Sequence, residues 1–273
     1  METNIERLKN IARQMRIDIL TMLVESGSGH SGGSLSAADI ITVLYFHKMR
    51  HDPKNPKWED RDKFVLSKGH AAPALYAALG RSGYFGIEHF HTLRRIGSIL
   101  RGHPNSAVTP GVEVCTGSLG QGLSQANGIA LAARLDKKPT KVYVMLGDGE
   151  IDEGQVWEAA MSSAHYKIDN LCVILDNNGL QIDGPNKEIM NIDPVSDKWR
   201  AFGWHVIEIN GHEMNEIIAA LDDAEKIKGK PTMIIAHTVK GKGVSFMENK
   251  VEYHGVAPTR DEYERAMKEL GAN

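Results

Sequence analysis

Two apolar segments, each followed by a short polar loop, constrain the fold of this chain more than any other feature. KVYVML runs into the loop GDG, whose aspartate is Asp148, and LCVIL is followed one residue later by NNG, which contains Asn177 and Asn178. A stretch of helical length, DEGQVWEAAMSSAHY, separates the two segments. Strand, helix and strand in this order predict two parallel strands whose carboxyl-end loops lie near one another.

The side chains of these two loops suit a divalent metal ion and a diphosphate. Gly147 and Gly149 flank Asp148 and let backbone amides approach phosphate oxygens without a Cβ in the way. The side-chain oxygens of Asn177 and Asn178 can complete a coordination sphere made only of oxygen. This donor set favours Mg²⁺ or Ca²⁺ bridging a diphosphate.

The alternation of strands and helices extends along the chain. HVIEI, EMNEIIAALDDAEKI and TMIIAH read as strand, helix and strand, and TVKGKG supplies a third polar loop at a strand end. The first half is predicted to hold a helix from Ile5 to Val24, a buried helix that begins near Ser36 with Asp39 in a capping role, and a short strand in DKFVLS. We therefore predict an α/β fold with a doubly wound, mostly parallel sheet, helices on both faces, and a single domain over residues 1–273.

Composition excludes several classes of protein. The 273 residues carry 32 Lys and Arg against 35 Asp and Glu, a formal charge of -3, so neither nucleic acid nor a membrane is an expected partner. METNIERLKN does not read as a signal or transit peptide, and we expect a cytoplasmic protein. Cys115 and Cys172 have no metal-binding spacing and are predicted to be buried, reduced thiols.

Four histidines share an unusual setting in loops next to glycine. They lie in SGHSGG, SKGHAA, RGHPN and YHGVAP, at His30, His70, His103 and His254. Any one such histidine is more often a structural or surface residue, but four of one kind indicate a shared role. The lysines of TVKGKG are predicted to be solvated and outside the site, because a lysine in a glycine turn usually faces water.

These motifs together resemble the N-terminal, diphosphate-binding part of transketolase, over essentially the whole chain. The resemblance is greatest to the short, split form in which this part is a separate polypeptide. Ser31 and Ser118 stand where longer members usually have proline, which removes a restraint on φ in both loops. The matching phrases are SGHSGGSLSAADI, VLSKGHAAPALYAAL, GHPNSAVTPGVEVCTGSLGQGL, GDGEIDEGQVWEAA, DNNGLQIDG and KGKGVSFMENKVEYHGVAP.

The resemblance implies thiamin diphosphate and Mg²⁺ (or Ca²⁺) as cofactors, and it implies a role for each matching residue. The implied metal ligands are Asp148, Asn178 and the carbonyl of Leu180, and the implied catalytic residues are His30, His103 and His254. The implied cofactor-binding residues are His70, Gly117, Leu119, Gly147, Gly149, Glu150, Asn178, Leu180 and His254. From the residues alone, Leu119 and Leu180 are more often core residues than residues that support a cofactor. Glu153 could favour a helix N-terminus or lie at an interface between chains.

The implied activity is transfer of a two-carbon ketol unit from a ketose phosphate to an aldose phosphate. The sequence leaves open a sulfonated or branched sugar, a deoxyxylulose phosphate synthase relative, an oxo-acid dehydrogenase α chain, or a regulatory protein that only binds the cofactor. The family also uses a pyrimidine-binding domain, for which 273 residues leave no room. We therefore expect a separate C-terminal subunit as partner, in an α2β2 assembly.

Overall fold

The computed structural model describes residues 5–272, and its centre is a five-stranded parallel sheet. The strands lie in the order β1-β2-β3-β7-β6, and a small antiparallel hairpin pairs β4 with β5. Their bounds are β1 Lys63–Leu66, β2 Val142–Gly147, β3 Leu171–Asn177, β4 Leu180–Gln181, β5 Gly184–Pro185, β6 His205–Asn210 and β7 Thr232–His237.

Nine α-helices within residues 5–272 surround this sheet. Their bounds are α1 Ile5–Ser26, α2 Gly32–Val43, α3 Ala72–Ser82, α4 Gln121–Leu135, α5 Gly154–His165, α6 Asn186–Ile189, α7 Val195–Ala201, α8 Met214–Lys226 and α9 Arg260–Glu269. A π-helical turn, Leu44–Lys48, extends α2, and short 3₁₀ segments cover Gly69–Ala71, Ile87–Thr92, Gly149–Asp152 and Val251–Tyr253. None of the helices in this part of the chain has the length and apolar character needed to cross a membrane.

Each face of the sheet has its own hydrophobic core. Successive side chains of a strand point to opposite faces, so Tyr143 and Met145 pack with α1, α2, α3 and α8, whereas Val142 and Val144 pack with α4, α5 and α7. Both faces are covered, which explains why the central strands β2 and β3 are almost wholly apolar rather than alternating with polar residues. The predicted α/β fold, with a parallel sheet and helices on both faces, is confirmed.

The register of the sheet brings three polar loops to one edge. Gly147 at the end of β2 pairs with Asp176 of β3, and Asn177 pairs with His237 at the end of β7. The loops GDG, NNG and TVKGKG therefore leave neighbouring strands at the same level. The chain that follows β1 reaches this edge too, and it carries His70.

The second helix begins earlier than predicted, at Gly32 rather than near Ser36. Ser36 and Asp39 lie inside this fully buried helix and make tertiary contacts instead of capping it. The Ser36 hydroxyl donates to Asp176 at 2.6 Å, and Asp39 accepts two hydrogen bonds from Arg16. The spacing that resembled a capping box thus reflects buried polar partners.

The cysteine prediction is half wrong. Cys172 is buried in β3, but Cys115 is exposed in the loop before α4, where its thiol lies 3.6 Å from the Ser106 hydroxyl. The apolar neighbours of Cys115 in sequence do not form a local core, because the loop runs over the surface.

Two glycines of α4 give a matched test of its packing. A Cβ at Gly122 would lie 2.8 Å from the Cα of Ser67 in the chain after β1, whereas a Cβ at Gly128 would meet no atom within 4 Å. We expect Gly122→Ala to lower the free energy of unfolding by about 1–3 kcal/mol. Gly128→Ala should raise it by up to about 1 kcal/mol, because alanine favours the helix. Urea unfolding measures both, and equal effects would contradict this packing.

Candidate functional site

A cavity of about 290 Å³ lies at the carboxyl ends of the parallel strands. Every residue to which the family resemblance assigned a cofactor, metal or catalytic role lines this cavity. They are His30, His70, His103, Gly117, Leu119, Gly147, Asp148, Gly149, Glu150, Asn178, Leu180 and His254. Lys68, Gln181, Ile182 and Lys240 complete the lining, and the sequence did not assign them to the site.

Three of the histidines form a triangle of rings. His30 lies between α1 and α2, His70 follows β1, and His254 follows the 3₁₀ turn near the C-terminus. The ring centroids are 5.1 Å apart for His30 and His70, 5.4 Å for His70 and His254, and 5.7 Å for His30 and His254. The Nδ1 atom of His30 is buried and has no hydrogen-bond partner within residues 5–272, which is rare for a buried polar atom.

The surroundings keep all four histidines neutral at pH 7. Burial, followed by the charge of Arg94, lowers the pKa of His30 to about 4. Burial and then Lys240 lower the pKa of His254 to about 3. Burial and Lys68 lower the pKa of His70 well below its usual value, and burial with Arg94 lowers the pKa of His103. A neutral imidazole donates a hydrogen bond from one ring nitrogen and can accept a proton at the other.

Lys240 belongs to the site, contrary to the prediction that the lysines of TVKGKG face solvent. It is only 2% exposed, and its Nζ lies 3.0 Å from the Leu180 carbonyl and 2.8 Å from Nδ1 of His254. Because an ammonium only donates, Nδ1 of His254 accepts and its Nε2 carries the proton. Burial lowers the pKa of Lys240 to about 8. The neighbouring Lys242 is partly exposed, as predicted, and its Nζ lies 3.4 Å from the carboxylate of Glu248.

Asp148 is buried, and within residues 5–272 its carboxylate bonds to backbone amides rather than to a basic side chain. Its oxygens accept from the amide of Gly149 at 2.9 Å and the amide of Gly179 at 2.5 Å. Burial, together with the nearby charge of Asp176, raises the pKa of Asp148 to about 6. A carboxylate in this setting fits a divalent metal ion, which would offset the buried charge.

Only one of the two asparagines at the end of β3 lines the cavity. Asn178 lines it and accepts from the amide of Leu180 at 3.2 Å. Asn177 is the last residue of β3, and its side-chain amide lies 3.4 Å from His237 on the other side. The suggestion that both asparagines coordinate a metal is therefore wrong for Asn177, because neighbouring side chains of a strand point in opposite directions.

Glu150 holds the GDG loop against two other elements. Its carboxylate accepts from the Ser67 hydroxyl at 2.5 Å, the Gly120 amide at 2.9 Å and the Gly147 amide at 3.0 Å. The Gly147 amide, like that of Gly149, thus donates to a carboxylate of its own loop rather than into the cavity. Phosphate approach through these two amides, as the GDG sequence suggested, stays a prediction.

The lining leucines are not core residues. Leu119 and Leu180 are half-buried and belong to neither hydrophobic cluster, whereas Gly117 lies beside the ring of His103. The two leucines form the apolar part of the wall. This arrangement gives the cavity one polar and one apolar side, as a ligand with a ring and a diphosphate requires.

The two serines that replace proline behave differently. Ser31 is fully buried, and its hydroxyl lies 3.1 Å from the Tyr253 carbonyl and 3.0 Å from the Val256 carbonyl. It therefore ties the loop of His30 to the loop of His254, a restraint that proline would not supply. Ser118 is exposed. Glu153 is exposed at the N-cap of α5 and makes no side-chain capping bond, so it does not act as a cap.

Within the described part of the chain, no three His, Cys, Asp or Glu side chains are placed to hold a metal ion by themselves. A cation at Asp148 would therefore need amide and carbonyl oxygens from the loop after β3, together with oxygens of its ligand. The donors available are those that Mg²⁺ and Ca²⁺ prefer.

Comparison with known proteins agrees with this geometry. Residues 6–273 match the family described as transketolase, thiamine diphosphate binding domain. The chain is 46% identical to the 6-deoxy-6-sulfo-D-fructose transketolase subunit SqwG of Clostridium sp. (strain MSTE9). The match extends over 269 residues, which are 98% of this chain and 97% of that protein. It is 45% identical over 266 residues, 97% of this chain and 94% of that protein, to one subunit of the apulose-4-phosphate transketolase of Phocaeicola vulgatus.

A solved structure is similar as well. The transketolase of Campylobacter jejuni superposes with a TM-score of 0.93 at 36% identity, over 98% of this chain. The chain spans 43% of the length of that transketolase.

The low pKa of His30 has a consequence for stability. Between the ordinary pKa of 6.5 and the folded value of about 4, the unfolded chain binds a proton at His30 and the folded chain does not. Acidification from about pH 7 to about pH 5 should therefore lower the free energy of unfolding, with no contribution from His30 above that range. Urea unfolding should show a smaller fall in His30→Asn than in the wild type. An identical pH dependence in both proteins would contradict a neutral, buried His30.

Proposed function

The chain belongs to the transketolase family, and on that premise we propose that it is the thiamin diphosphate-binding subunit of a two-subunit transketolase. The reaction is transfer of a two-carbon ketol unit from a ketose donor to an aldose acceptor. The observation that carries this proposal is the convergence of four neutral histidines, a buried lysine and a buried aspartate in one cavity. Thiamin diphosphate supplies a carbon nucleophile for ketose cleavage when it is bound.

The metal ion is assigned to the loops after β2 and β3. Asp148, the side-chain oxygen of Asn178 and the carbonyl of Leu180 would hold Mg²⁺, or Ca²⁺ in its place. The raised pKa of Asp148 supports this, because a divalent cation stabilises a buried carboxylate in its charged form. The carbonyl of Leu180 accepts from Lys240 in the structure, so the cation and the ammonium would share this oxygen or exchange at it.

The diphosphate is assigned to the donors on the polar side of the cavity. His70, Lys240 and the Nε2 proton of His254 can each donate to a phosphate oxygen, and Lys240 adds a positive charge that is largely shielded from water. Gly117, Leu119 and Leu180 form the apolar wall, which suits the aminopyrimidine ring. Gly147, Gly149 and Glu150 act on the cofactor through the shape of the GDG loop, because the Gly147 amide donates to Glu150 and the Gly149 amide donates to Asp148.

Proton transfer at the sugar is assigned to His30, His103 and His254. His30 and His103 are neutral and line the cavity, so each can take a proton from a hydroxyl and return it. His254 also lines the cavity, and because its Nδ1 accepts from Lys240, it would act through its Nε2–H as a donor. A positioned acid or base of this kind contributes about 10²- to 10⁴-fold in rate.

We propose a separate C-terminal subunit as the partner, in an α2β2 assembly. The relatives that are named as subunits support this, since they match over nearly their whole length. The exposed carboxylate of Glu153, close to the loop of Gly120 at the cavity wall, is assigned to the interface between the chains.

The donor sugar is the finer part of the proposal. Two relatives with 46% and 45% identity are named for 6-deoxy-6-sulfo-D-fructose and for apulose 4-phosphate. A sulfonated or branched ketose is therefore a second candidate donor, beside the ordinary ketose phosphates.

Reconstitution tests the activity. The chain, co-expressed with the partner subunit and supplied with Mg²⁺ and thiamin diphosphate, should turn over at least one donor among ketose phosphates, a sulfonated ketose and apulose 4-phosphate. Asp148→Asn should lower kcat/KM at saturating cofactor by more than about 100-fold, the upper range for residues that only support a metal ligand.

Asp197→Asn is the matched control, because Asp197 is an exposed aspartate of α7 that pairs with Arg200. This variant should keep wild-type turnover and Mg²⁺ dependence. Wild-type activity in Asp148→Asn, or full activity of the chain without its partner, would contradict the proposal.

A further inference from the structure

Arg94 lies outside the cavity lining, against the loops that carry His30 and His103. Its Nη1 donates to the hydroxyl of Ser28 at 2.9 Å. A Cβ at Gly102, the residue before His103, would lie 3.2 Å from the guanidinium carbon, and a Cβ at Gly29, the residue before His30, would lie 3.9 Å from its Nε. The guanidinium therefore packs near the glycine that precedes each histidine.

The backbone around Arg94 fixes this placement. Arg94 adopts φ +61°, a left-handed conformation that glycine and asparagine adopt more easily, and its amide donates to the Leu100 carbonyl at 2.9 Å. From the buried side, the hydroxyl of Tyr76 lies 2.9 Å from the Arg101 carbonyl and 3.0 Å from the His103 carbonyl. Tyr76 and Arg94 thus hold the loop of His103 from opposite sides.

The guanidinium also places a positive charge near the two histidines. Its hydrogen-bond acceptor, Ser28, is a neutral hydroxyl and does not offset its charge. Among the described residues, the charged and titratable groups that act on His30 are Arg94, His103 and Lys240. The rings of His70 and His254 also lie next to the ring of His30. Arg94 is the charged group that acts on His103. Within residues 5–272, Arg94 is thus the cation that these two histidines share.

We propose that Arg94 is a positioning residue that fixes the separation of the loops carrying His30 and His103 and places a positive charge beside both rings. The inference rests on the proposed function, in which these two histidines face the sugar. Arg94 does not line the cavity that holds the cofactor and metal ligands, so its effect passes through the two loops. The glutamine variant removes the charge, and the lysine variant keeps the charge but loses the planar fork that spans the two glycines.

The test compares Arg94→Gln and Arg94→Lys with Arg95→Gln. Arg95 is the adjacent arginine, 59% exposed at its side chain, and it lies 3.9 Å from Glu25. Histidine ring NMR of the full chain, without partner or cofactor, should show higher pKa values for His30 and His103 in Arg94→Gln. Arg94→Lys and Arg95→Gln should keep the wild-type pKa values of both rings, because both retain the charge of residue 94.

Kinetics of the two-subunit enzyme complete the test. Both Arg94 variants should lower kcat by about 10- to 100-fold, as expected for misplaced reacting groups, and Arg94→Gln should also shift the acidic limb of the pH profile upward. Arg95→Gln should do neither. The proposal is overturned if Arg94→Gln leaves both histidine titrations as in Arg95→Gln, or if both Arg94 variants keep wild-type kcat. The NMR result decides whether the charge of Arg94 acts on His30 and His103, even if no donor sugar is turned over.

Discussion

The buried ion pair between Lys68 and Asp176 joins the elements on which the site depends. Asp176 is fully buried near the end of β3 and accepts from Lys68 after β1, from Ser36 of α2 and from Thr238 after β7. Lys68 also donates to the carbonyl of Gly33 at 2.7 Å, at the start of α2. One pair of charges thus links the four segments that carry His30, His70, Asn178 and Lys240. A buried pair of this kind leaves a costly unpaired charge, about 3–5 kcal/mol, when one partner is lost.

The same pair determines the electrostatics above it. Asp176 adds to the negative potential at Asp148, whereas Lys68 and Lys240 oppose protonation of His70 and His254. The cavity therefore holds the carboxylate of Asp148, which a cation would stabilise in its charged form. Beside it lie the histidine rings and the ammonium of Lys240, which an anion would stabilise. A metal-bound diphosphate satisfies both demands at once, and neither a metal ion nor a phosphate alone does so.

Hydrophobic periodicity and loops at strand ends predicted the sheet and its helices, whereas the individual residues of the cavity lining came mostly from the resemblance to transketolase. Prediction from the sequence failed where a side chain's direction or partner depends on distant parts of the chain. The glycine turn suggested a solvated Lys240, but in the structure this lysine is buried and contacts His254. Ser36 resembled a cap because Asp39 follows three residues later, but its hydroxyl bonds to Asp176, which lies 140 residues away in the sequence. Asn177 and Asn178 are equivalent in sequence, and only the pleat of β3 separates their directions.

The central claim is that this strand-end cavity binds a metal-bridged diphosphate. A crystal structure of the chain with thiamin diphosphate and Mn²⁺, a metal located by its anomalous signal, tests it most directly. We expect an anomalous peak bonded to Asp148 and the loop after β3, with the diphosphate in contact with His70, His254 and Lys240. A cofactor bound elsewhere, or a metal peak away from Asp148, would contradict this claim.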